Sequence, residues 1–510
     1  MRGVPWATAI LLAAAASAAG ADMVILKDGR VVEGIPVTKE ADALLLRYPS
    51  GEVRLPLSLV EDFLSESSPP APPADEEERA RAAEGKVRWK GKWVPAAVRE
   101  KEARKELDRK RKELEEARSH SEWKDRYSFA TKNFAIESTQ PESMNREFAE
   151  RLEGYFQAFA KRFKVSVPRD WGKLKVCFYG GREDFLRTSG AGGGVLAYYR
   201  FVEPRELNFY YDRLDPQSSV DCLFHEATHY LIDLVDPAFQ YPHWLNEAMA
   251  EYFGASEWDP GRKAFALGAI QHGRLAELRA EREVGKNVLL RDLVSDESGA
   301  YMHYYWGWSL VHFLMESPKY SKKFEKFFVD LATARDVDRR PHPSFQGMTV
   351  QKDGQECLKT FLSRMGLREK DLDGLQAEWY AWIDALPAGD VRALEEAGLR
   401  AYAEGSVRFR APRLLKEAID KGSTRTAVRV RYAICLLGKD EKEEAVRMAE
   451  SAVLLDPLDA GVREALAFVL HQAGKPEEAQ KVLALAKEID PGRDFLDFAV
   501  MVKLAEGKSE

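Results

Sequence analysis

Two histidines in one helix-forming segment constrain this chain more than any other feature of its sequence. The segment 218–235 contains His225-Glu226-Ala227-Thr228-His229. Residues four apart lie on the same face of a helix, so both imidazoles can point at one cation. Zn²⁺ accepts neutral imidazole nitrogen, and a glutamate next to the first histidine can reach past a metal to a bound water. The segment therefore predicts half of a metal site on a helix.

A second helix is predicted over residues 242–253, and it offers the missing ligand. It carries Asn246-Glu247-Ala248, with Glu251 one turn after Glu247. A catalytic zinc needs three protein ligands and an open position. If the two helices pack together, Glu247 completes a site of two histidines and one carboxylate. Glu251 can then accept the second N–H of a ligand histidine.

The combination resembles the gluzincin zinc peptidases, and is most similar to the secreted peptidase-MA-like proteins, over roughly residues 125–385. The resemblance implies one zinc ion per chain and a peptide or protein substrate. It implies His225, His229 and Glu247 as metal ligands, Glu226 as general base, and Glu251 as the carboxylate that supports a ligand histidine. Seventeen residues separate His229 from Glu247, slightly fewer than in the best-known members, so the connecting loop departs from the family pattern.

Peptide hydrolysis also requires a donor for the oxyanion that develops on the scissile carbonyl. The segment 301–307 precedes a predicted apolar helix. Related aminopeptidases place a tyrosine three residues before a glycine in a comparable position, and Tyr304 has that spacing to Gly307. Tyr301, His303 and Tyr305 remain alternatives, and so does a purely structural aromatic cluster.

Further expectations concern substrate binding. The strand predicted over 206–211 precedes the metal helix, and an edge strand there could pair with an extended peptide. The aminopeptidase signature Gly-Ala-Met-Glu-Asn is absent, since residues 192–195 read Gly-Gly-Gly-Val, and this favours an endopeptidase. His243 is interpreted as a substrate or structural residue and His312 as a core histidine. Nothing singles out Arg182 or Arg187 as substrate ligands.

The chain is predicted to be a multidomain α+β protein. Short strands around Asp28-Gly29 and Pro49-Ser50-Gly51 indicate a small barrel similar to SH3-like modules. The predicted parts are a signal peptide (1–21), this β unit (22–65), a linker and charged helix (66–122), a zincin-like α+β peptidase domain (123–388) and helical repeats (391–508).

The first 21 residues have the composition of a signal peptide. Arg2 precedes an apolar run at 7–16, and small residues suitable for cleavage follow. The chain is therefore expected to be exported, to the periplasm or the medium, with no transmembrane segment in the mature form. The net charge of -7 gives no basic excess that would point to nucleic acid.

The C-terminal region has an internal period. Asp456-Pro457 and Asp490-Pro491 lie 34 residues apart, each after a pair of apolar-periodic stretches. This resembles tetratricopeptide repeats, and residues 391–425 could supply an irregular third repeat. Such repeats either bind a protein partner on a concave surface or cap the chain, and both readings stay open.

Two other functions compete with peptidase activity. The chain could be a catalytically inactive exported scaffold, with structural zinc and a protein partner on its repeats. It could also use zinc to hydrolyse a non-peptide substrate, such as a cell-wall crosslink. An enzyme needs both an open metal position and the carboxylate of Glu226, whereas a scaffold needs neither.

Overall fold

A computed structural model describes residues 22–28, 30–64, 76–89, 92–192, 195–211, 216–300, 302–387, 390–403, 408–491 and 495. Its strands are β1 Met23–Leu26, β2 Val31–Glu33, β3 Val37–Lys39, β4 Ala43–Tyr48, β5 Gly51–Pro56, β6 Val60–Leu64, β7 Lys86–Trp89, β8 Lys92–Pro95, β9 Tyr127–Ala130, β10 Phe134–Ser138, β11 Leu174–Tyr179, β12 Ala197–Arg200, β13 Glu206–Tyr210, β14 Phe239–Gln240, β15 Glu257–Asp259, β16 Ala264–Ala266, β17 Arg339–Pro341 and β18 Thr349–Gln351.

The helices are α1 Glu76–Ala83, α2 Ala96–Ser119, α3 Glu142–Phe163, α4 Arg182–Ser189, α5 Pro216–Asp233, α6 His243–Gly254, α7 His272–Glu283, α8 Leu290–Val294, α9 Trp308–Glu316, α10 Ser321–Thr333, α11 Gly354–Met365, α12 Leu372–Ala385, α13 Val391–Ala403, α14 Ala411–Asp420, α15 Thr426–Leu437, α16 Lys442–Leu455, α17 Ala460–Gln472 and α18 Pro476–Ile489. A π-helical turn, His303–Gly307, precedes α9. The predicted signal peptide, most of the predicted linker and the repeat region beyond residue 491, apart from residue 495, lie outside the described residues.

The chain divides into two compact units. One contains the described residues up to Asp125 and those from Ala433 onward, and the other contains Arg126–Tyr432. The mixed α+β composition with N-terminal strands and a C-terminal helical region agrees with the predicted fold class. None of the helices in the described part of the chain combines the length and apolar character that a membrane span requires.

The N-terminal strands correct one expectation. They form two three-stranded sheets, ordered β2-β1-β6 and β3-β4-β5, and the described residues contain no closed barrel. The reason lies in their core. Side chains of α18, Leu485 and Ile489, pack with Leu44 and Leu46 of the strands in one apolar cluster. Helices from the other end of the chain thus cover apolar surface that a closed barrel would bury within itself.

The C-terminal helices repeat as predicted. Helices α15 and α17 begin at Thr426 and Ala460, and α16 and α18 begin at Lys442 and Pro476, so both pairs of starts lie 34 residues apart. Helices α13 and α14, which the sequence assigns to an irregular third repeat, lie in the other unit, where α13 packs against α7.

The second unit is built on a five-stranded sheet ordered β12-β13-β11-β10-β9. β10, β11 and β13 are mutually parallel, and antiparallel β9 and β12 form the edges. One expectation is corrected. β13 pairs on both sides, so the edge strand beside the metal helix is β12.

Aromatic side chains of α3 hold the rear of helix α5 in place. The Tyr155 hydroxyl lies 2.6 Å from Thr228 Oγ1, which donates to the carbonyl oxygen of Phe224. Phe224 and Tyr155 are fully buried, and each such side chain stabilises the fold by about 2 kcal/mol. Phe224 and Thr228 face the core, so His225 and His229, each one residue later, point about 100° around the helix from that face.

Candidate metal centre

Helices α5 and α6 approach each other closely where the two histidines lie. A Cβ atom at Gly254 would come within 3.2 Å of the backbone nitrogen of His225, so the glycine allows backbone contact between the helices. Gly307 serves the π-helical turn in the same way, since a Cβ there would meet the Cβ of Ala248 on α6 at 2.9 Å. These small residues let α5, α6 and the π-helical turn pack closely around the two histidines.

At that point His225, His229 and Glu247 each direct a ligand atom to a common position, with the three atoms all within 4.8 Å of one another. Glu247 Oε2 lies 3.3 Å from His225 Nε2 and 3.8 Å from His229 Nε2. The sequence named these three residues as the ligand set, and the structure places them together. We call them the metal cluster.

Glu247 Oε2 shows that a cation fits the cluster. The atom is buried and, in the part of the chain that the structure describes, accepts no hydrogen bond of regular geometry. A buried charged acceptor left in this state costs at least about 1–3 kcal/mol, and more than a neutral one. A divalent ion held by the two Nε2 atoms and this oxygen would remove the cost. Two imidazoles and one carboxylate form a donor set that suits zinc and leaves a position open.

The outer nitrogens of both imidazoles are already engaged. His229 Nδ1 donates to Asn246 Oδ1 at 3.0 Å, and His225 Nδ1 lies 3.6 Å from Glu251 Oε1. A Nδ1–H directed at an oxygen fixes the tautomer whose Nε2 lone pair is free for a metal. Glu251 thus lies where the sequence analysis expects the carboxylate that supports His225, and Asn246 contacts His229 in the same way.

The charges around the cluster favour a cation. Burial lowers the pKa of the His225 imidazole, but the interaction with Glu247 and the charges of Glu251 and Glu226 outweigh it and raise the pKa to about 9. Burial would raise the pKa of Glu247, yet the surrounding imidazoles lower it to about 2. Negative charge from Glu247 and Glu251 is therefore concentrated around the His225 imidazole.

Glu226 stands apart from the three ligand atoms. Its Oε2 accepts a hydrogen bond of 2.9 Å from the backbone N–H of Tyr199, on edge strand β12. The Tyr199 hydroxyl donates at 3.0 Å to Oδ2 of Asp233, which lies about two turns after Glu226 on the same face of α5. Strand β12 thus orients the carboxylate that the sequence assigned to acid–base chemistry, a contact that no local motif indicates.

Tyr304 is the tyrosine of the π-helical turn that faces the cluster. Its ring lies 6.3 Å from the His225 ring, with an angle of 15° between the planes, and the Arg274 guanidinium lies 5.1 Å from its centre. Burial, followed by the charges of Glu247 and Glu251, raises the pKa of Tyr304 to about 12. A hydroxyl with that pKa stays protonated and able to donate. The neighbouring Tyr305 donates to Met302 Sδ at 2.8 Å, and Tyr301 lies outside the described residues.

A second group of histidines borders the cluster. His243 Nδ1 lies 2.7 Å from His303 Nδ1, and His303 Nε2 lies 3.4 Å from Asp296 Oδ1. On its other side, His243 Nε2 is 3.6 Å from Glu247 Oε1, with 46% of the side chain exposed. We call His243 and His303 the histidine pair. Sequence reasoning missed Asp296, because no sequence pattern indicates its contact with His303.

Glu251 leads to a further residue that the sequence did not indicate. Arg274 Nη2 lies 2.6 Å from Glu251 Oε1, and both side chains are almost fully buried. Burial would raise the pKa of Glu251, but the charges of Arg274 and His225 outweigh it, and the pKa is lowered. No sequence pattern distinguishes Arg274 from the other arginines of helix α7.

The remaining candidates lie elsewhere. His312 is buried and accepts a hydrogen bond of 3.1 Å from Trp382 Nε1, which confirms its interpretation as a core histidine. Arg187 pairs with Asp184 on its own helix at 2.7 Å, and no contact joins it or Arg182 to the cluster among those that the structure describes.

The comparisons with known proteins place both site helices in a recognised segment. Residues 219–338 match a family described as "Protein of unknown function (DUF1570)". No curated protein matches the chain. A solved structure described as MamA AMB-1 P212121 aligns with 18% identity over 44% of this chain and all of its own. Its TM-score of 0.20 is too low to carry an argument about fold or function.

Proposed function

We propose that this chain is an exported zinc-dependent peptidase that hydrolyses peptide bonds within its substrate. The observation that carries the proposal is the convergence of His225, His229 and Glu247 on one buried point where Glu247 Oε2 accepts no regular hydrogen bond within the described part of the chain. Zinc held by these residues would lower the pKa of a water toward about 7 and polarise the scissile carbonyl.

The chain's own residues supply the rest of the chemistry. Glu226, held by the Tyr199 N–H, accepts the proton of the attacking water and passes it to the leaving amine. The Tyr304 hydroxyl donates to the oxygen that becomes negative as the carbonyl is attacked. His243, half-exposed beside Glu247, is a second donor within reach of the same space.

Strand β12 is the proposed binding site for an extended peptide substrate. It is an antiparallel edge of the sheet and packs beside α5. An extended peptide can add to such an edge through main-chain hydrogen bonds, which favours cleavage within a chain. Glu226 is hydrogen-bonded to this same strand, so a peptide bound along β12 would pass the general base.

A scaffold function is the second candidate, and the 34-residue helical repeat is the observation that favours it. Repeats of this kind often bind protein partners. In that case the metal would be structural, and Glu226 would be dispensable. A zinc hydrolase acting on a non-peptide bond would use the same cluster.

One experiment separates these functions. Purified wild-type protein and Glu226→Gln are compared for zinc content and for cleavage of a denatured protein substrate. A peptidase retains zinc in the variant and loses turnover by at least about 10³-fold. Equal cleavage by the two proteins would remove the proposed mechanism, whereas zinc without cleavage in the wild type would exclude the peptidase and leave the scaffold and the hydrolase of a non-peptide bond.

A further inference from the structure

A chain of alternating charges leads away from the metal cluster through four helices. His225 Nδ1 lies 3.6 Å from Glu251, and Glu251 lies 2.6 Å from Arg274. The other terminal nitrogen of Arg274, Nη1, lies 3.2 Å from Glu277, and Glu277 lies 3.4 Å from Arg400 Nε. The path begins on α5, passes through α6 and α7, and ends on α13.

Burial makes this path sensitive to each of its members. The exposed fractions of the Glu251, Arg274 and Glu277 side chains are 5%, 11% and 6%, and that of Arg400 is 33%. Water therefore screens the inner charges poorly. Removing one partner of a buried ion pair leaves its neighbour uncompensated, and the neighbour must find another contact.

The backbone of α7 is adapted to Arg400. A Cβ atom at Gly273 would lie 2.8 Å from Arg400 Nε and 3.5 Å from its Cβ, too close for any other residue without a shift. Glycine is a weaker helix former than alanine. Here it admits an arginine from α13 to the position beside Glu277.

We propose that Arg400 is a positioning residue for the metal ligand His225; the inference rests on the proposed zinc site. Arg400 balances the charge of Glu277, so that Arg274 keeps its contact with Glu251 instead of turning fully to Glu277. Glu251 then stays in place as the acceptor for His225 Nδ1–H, which aims Nε2 at the metal. Helix α13 thereby belongs to the metal site and not only to the helical C-terminal region.

The test measures zinc affinity by competition with a chromophoric chelator, on the full-length chain. Arg400→Met is expected to weaken zinc binding by about tenfold, the lower end of what outer contacts of metal ligands contribute. Arg400→Lys should recover most of that loss. Arg410→Met is the control, since Arg410 also forms an ion pair with a glutamate of α7, Glu283, at 3.0 Å, without reaching Glu251.

Two further readouts separate positioning from general stability. The visible spectrum of the cobalt-substituted protein should change in Arg400→Met and not in Arg410→Met, because it reports ligand geometry. Arg400→Met combined with Glu277→Gln should cost less than the sum of the single changes. If Arg400→Met does not fold, Gly273→Ala displaces the arginine without removing its charge, and the same loss of zinc affinity is expected.

The outcomes are distinct. A wild type that binds no zinc refutes the proposed function itself. A wild type that binds zinc, with Arg400→Met within about twofold of it, overturns the positioning role alone. An equal loss in Arg410→Met also overturns it, because the effect would then be a loosening of the helices around α7.

Discussion

Two groups of imidazoles flank Glu247, and they differ in the nitrogens that remain available. In the metal cluster, both Nδ1 atoms face oxygens outside it and both Nε2 atoms face the buried Oε2 of Glu247. In the histidine pair, the two Nδ1 atoms contact each other, and His243 Nε2 faces the second oxygen, Oε1. The side chains of the cluster are 13–16% exposed, whereas that of His243 is 46% exposed. Residue type alone thus does not identify a histidine as a metal ligand; the contacts of its Nδ1 atom do.

The largest expected effect is a difference in zinc binding between the metal cluster and the histidine pair. His229→Ala should abolish zinc binding, because it removes one of three ligands. His243→Ala should retain zinc, because its imidazole contributes no atom to the cluster. Elemental analysis of both variants after dialysis checks this. Loss of zinc in both would make the histidine pair part of the metal site and contradict the distinction.

The next effect concerns the donors around the cleft. Tyr304→Phe should lower kcat by about 10²–10³-fold while zinc content stays the same, because it removes one oxyanion donor. Tyr305→Phe is the matched control, since that hydroxyl is bonded to Met302 Sδ. Steady-state kinetics on one peptide substrate provide the measurement. If Tyr304→Phe is fully active and His243→Ala is not, the donor is in the histidine pair.

A smaller effect tests the outer contact of the cluster. Glu251→Gln should weaken zinc affinity by about 10- to 100-fold without eliminating the site, since His225 loses a charged acceptor but keeps its place on α5. Glu378→Gln is a suitable control, because Glu378 pairs with Lys319 at the surface at 2.7 Å. Chelator competition measures both. Unchanged affinity in Glu251→Gln would mean that His225 is oriented by other contacts.

The smallest effect extends the comparison to His312, a buried histidine among aromatic rings. Burial lowers its pKa, and Trp382 Nε1 donates to Nδ1, which requires the neutral ring. The unfolded chain binds a proton near pH 6.5 and the folded protein resists it, so stability present above that pH is lost as the pH falls.

We therefore expect the free energy of unfolding to fall more steeply below pH 6.5 in the wild type than in His312→Gln. The difference in slope is at most about 1.4 kcal/mol per pH unit. Urea unfolding at several pH values measures it. Identical slopes for the two proteins would show that His312 does not carry the effect.

The sequence predicted the parts of the site that lie within one helix or in two neighbouring helices. His225 and His229 are four apart, so helical periodicity places them on one face. Glu247 follows in the next helix, and its place beside them depends on the packing of the two helices, which the resemblance to gluzincins implies. The 34-residue helical repeat was predictable because it, too, is a pattern within one segment of the chain.

What the sequence did not indicate depends on contacts between distant segments. Asp296, Arg274 and the Tyr199 N–H reach the site through tertiary packing, and a backbone N–H has no sequence signature at all. The N-terminal strands were predicted to close on themselves because local pattern cannot show that α18 shares their core. β13 was taken for an edge because strand order is likewise invisible to periodicity.

The most direct test of the account is the zinc content of purified full-length protein, measured by elemental analysis beside His229→Ala. The account predicts about one zinc per wild-type chain and almost none in the variant. Wild-type protein that remains free of zinc after incubation with the metal would contradict it, and the convergence of His225, His229 and Glu247 would then need another explanation.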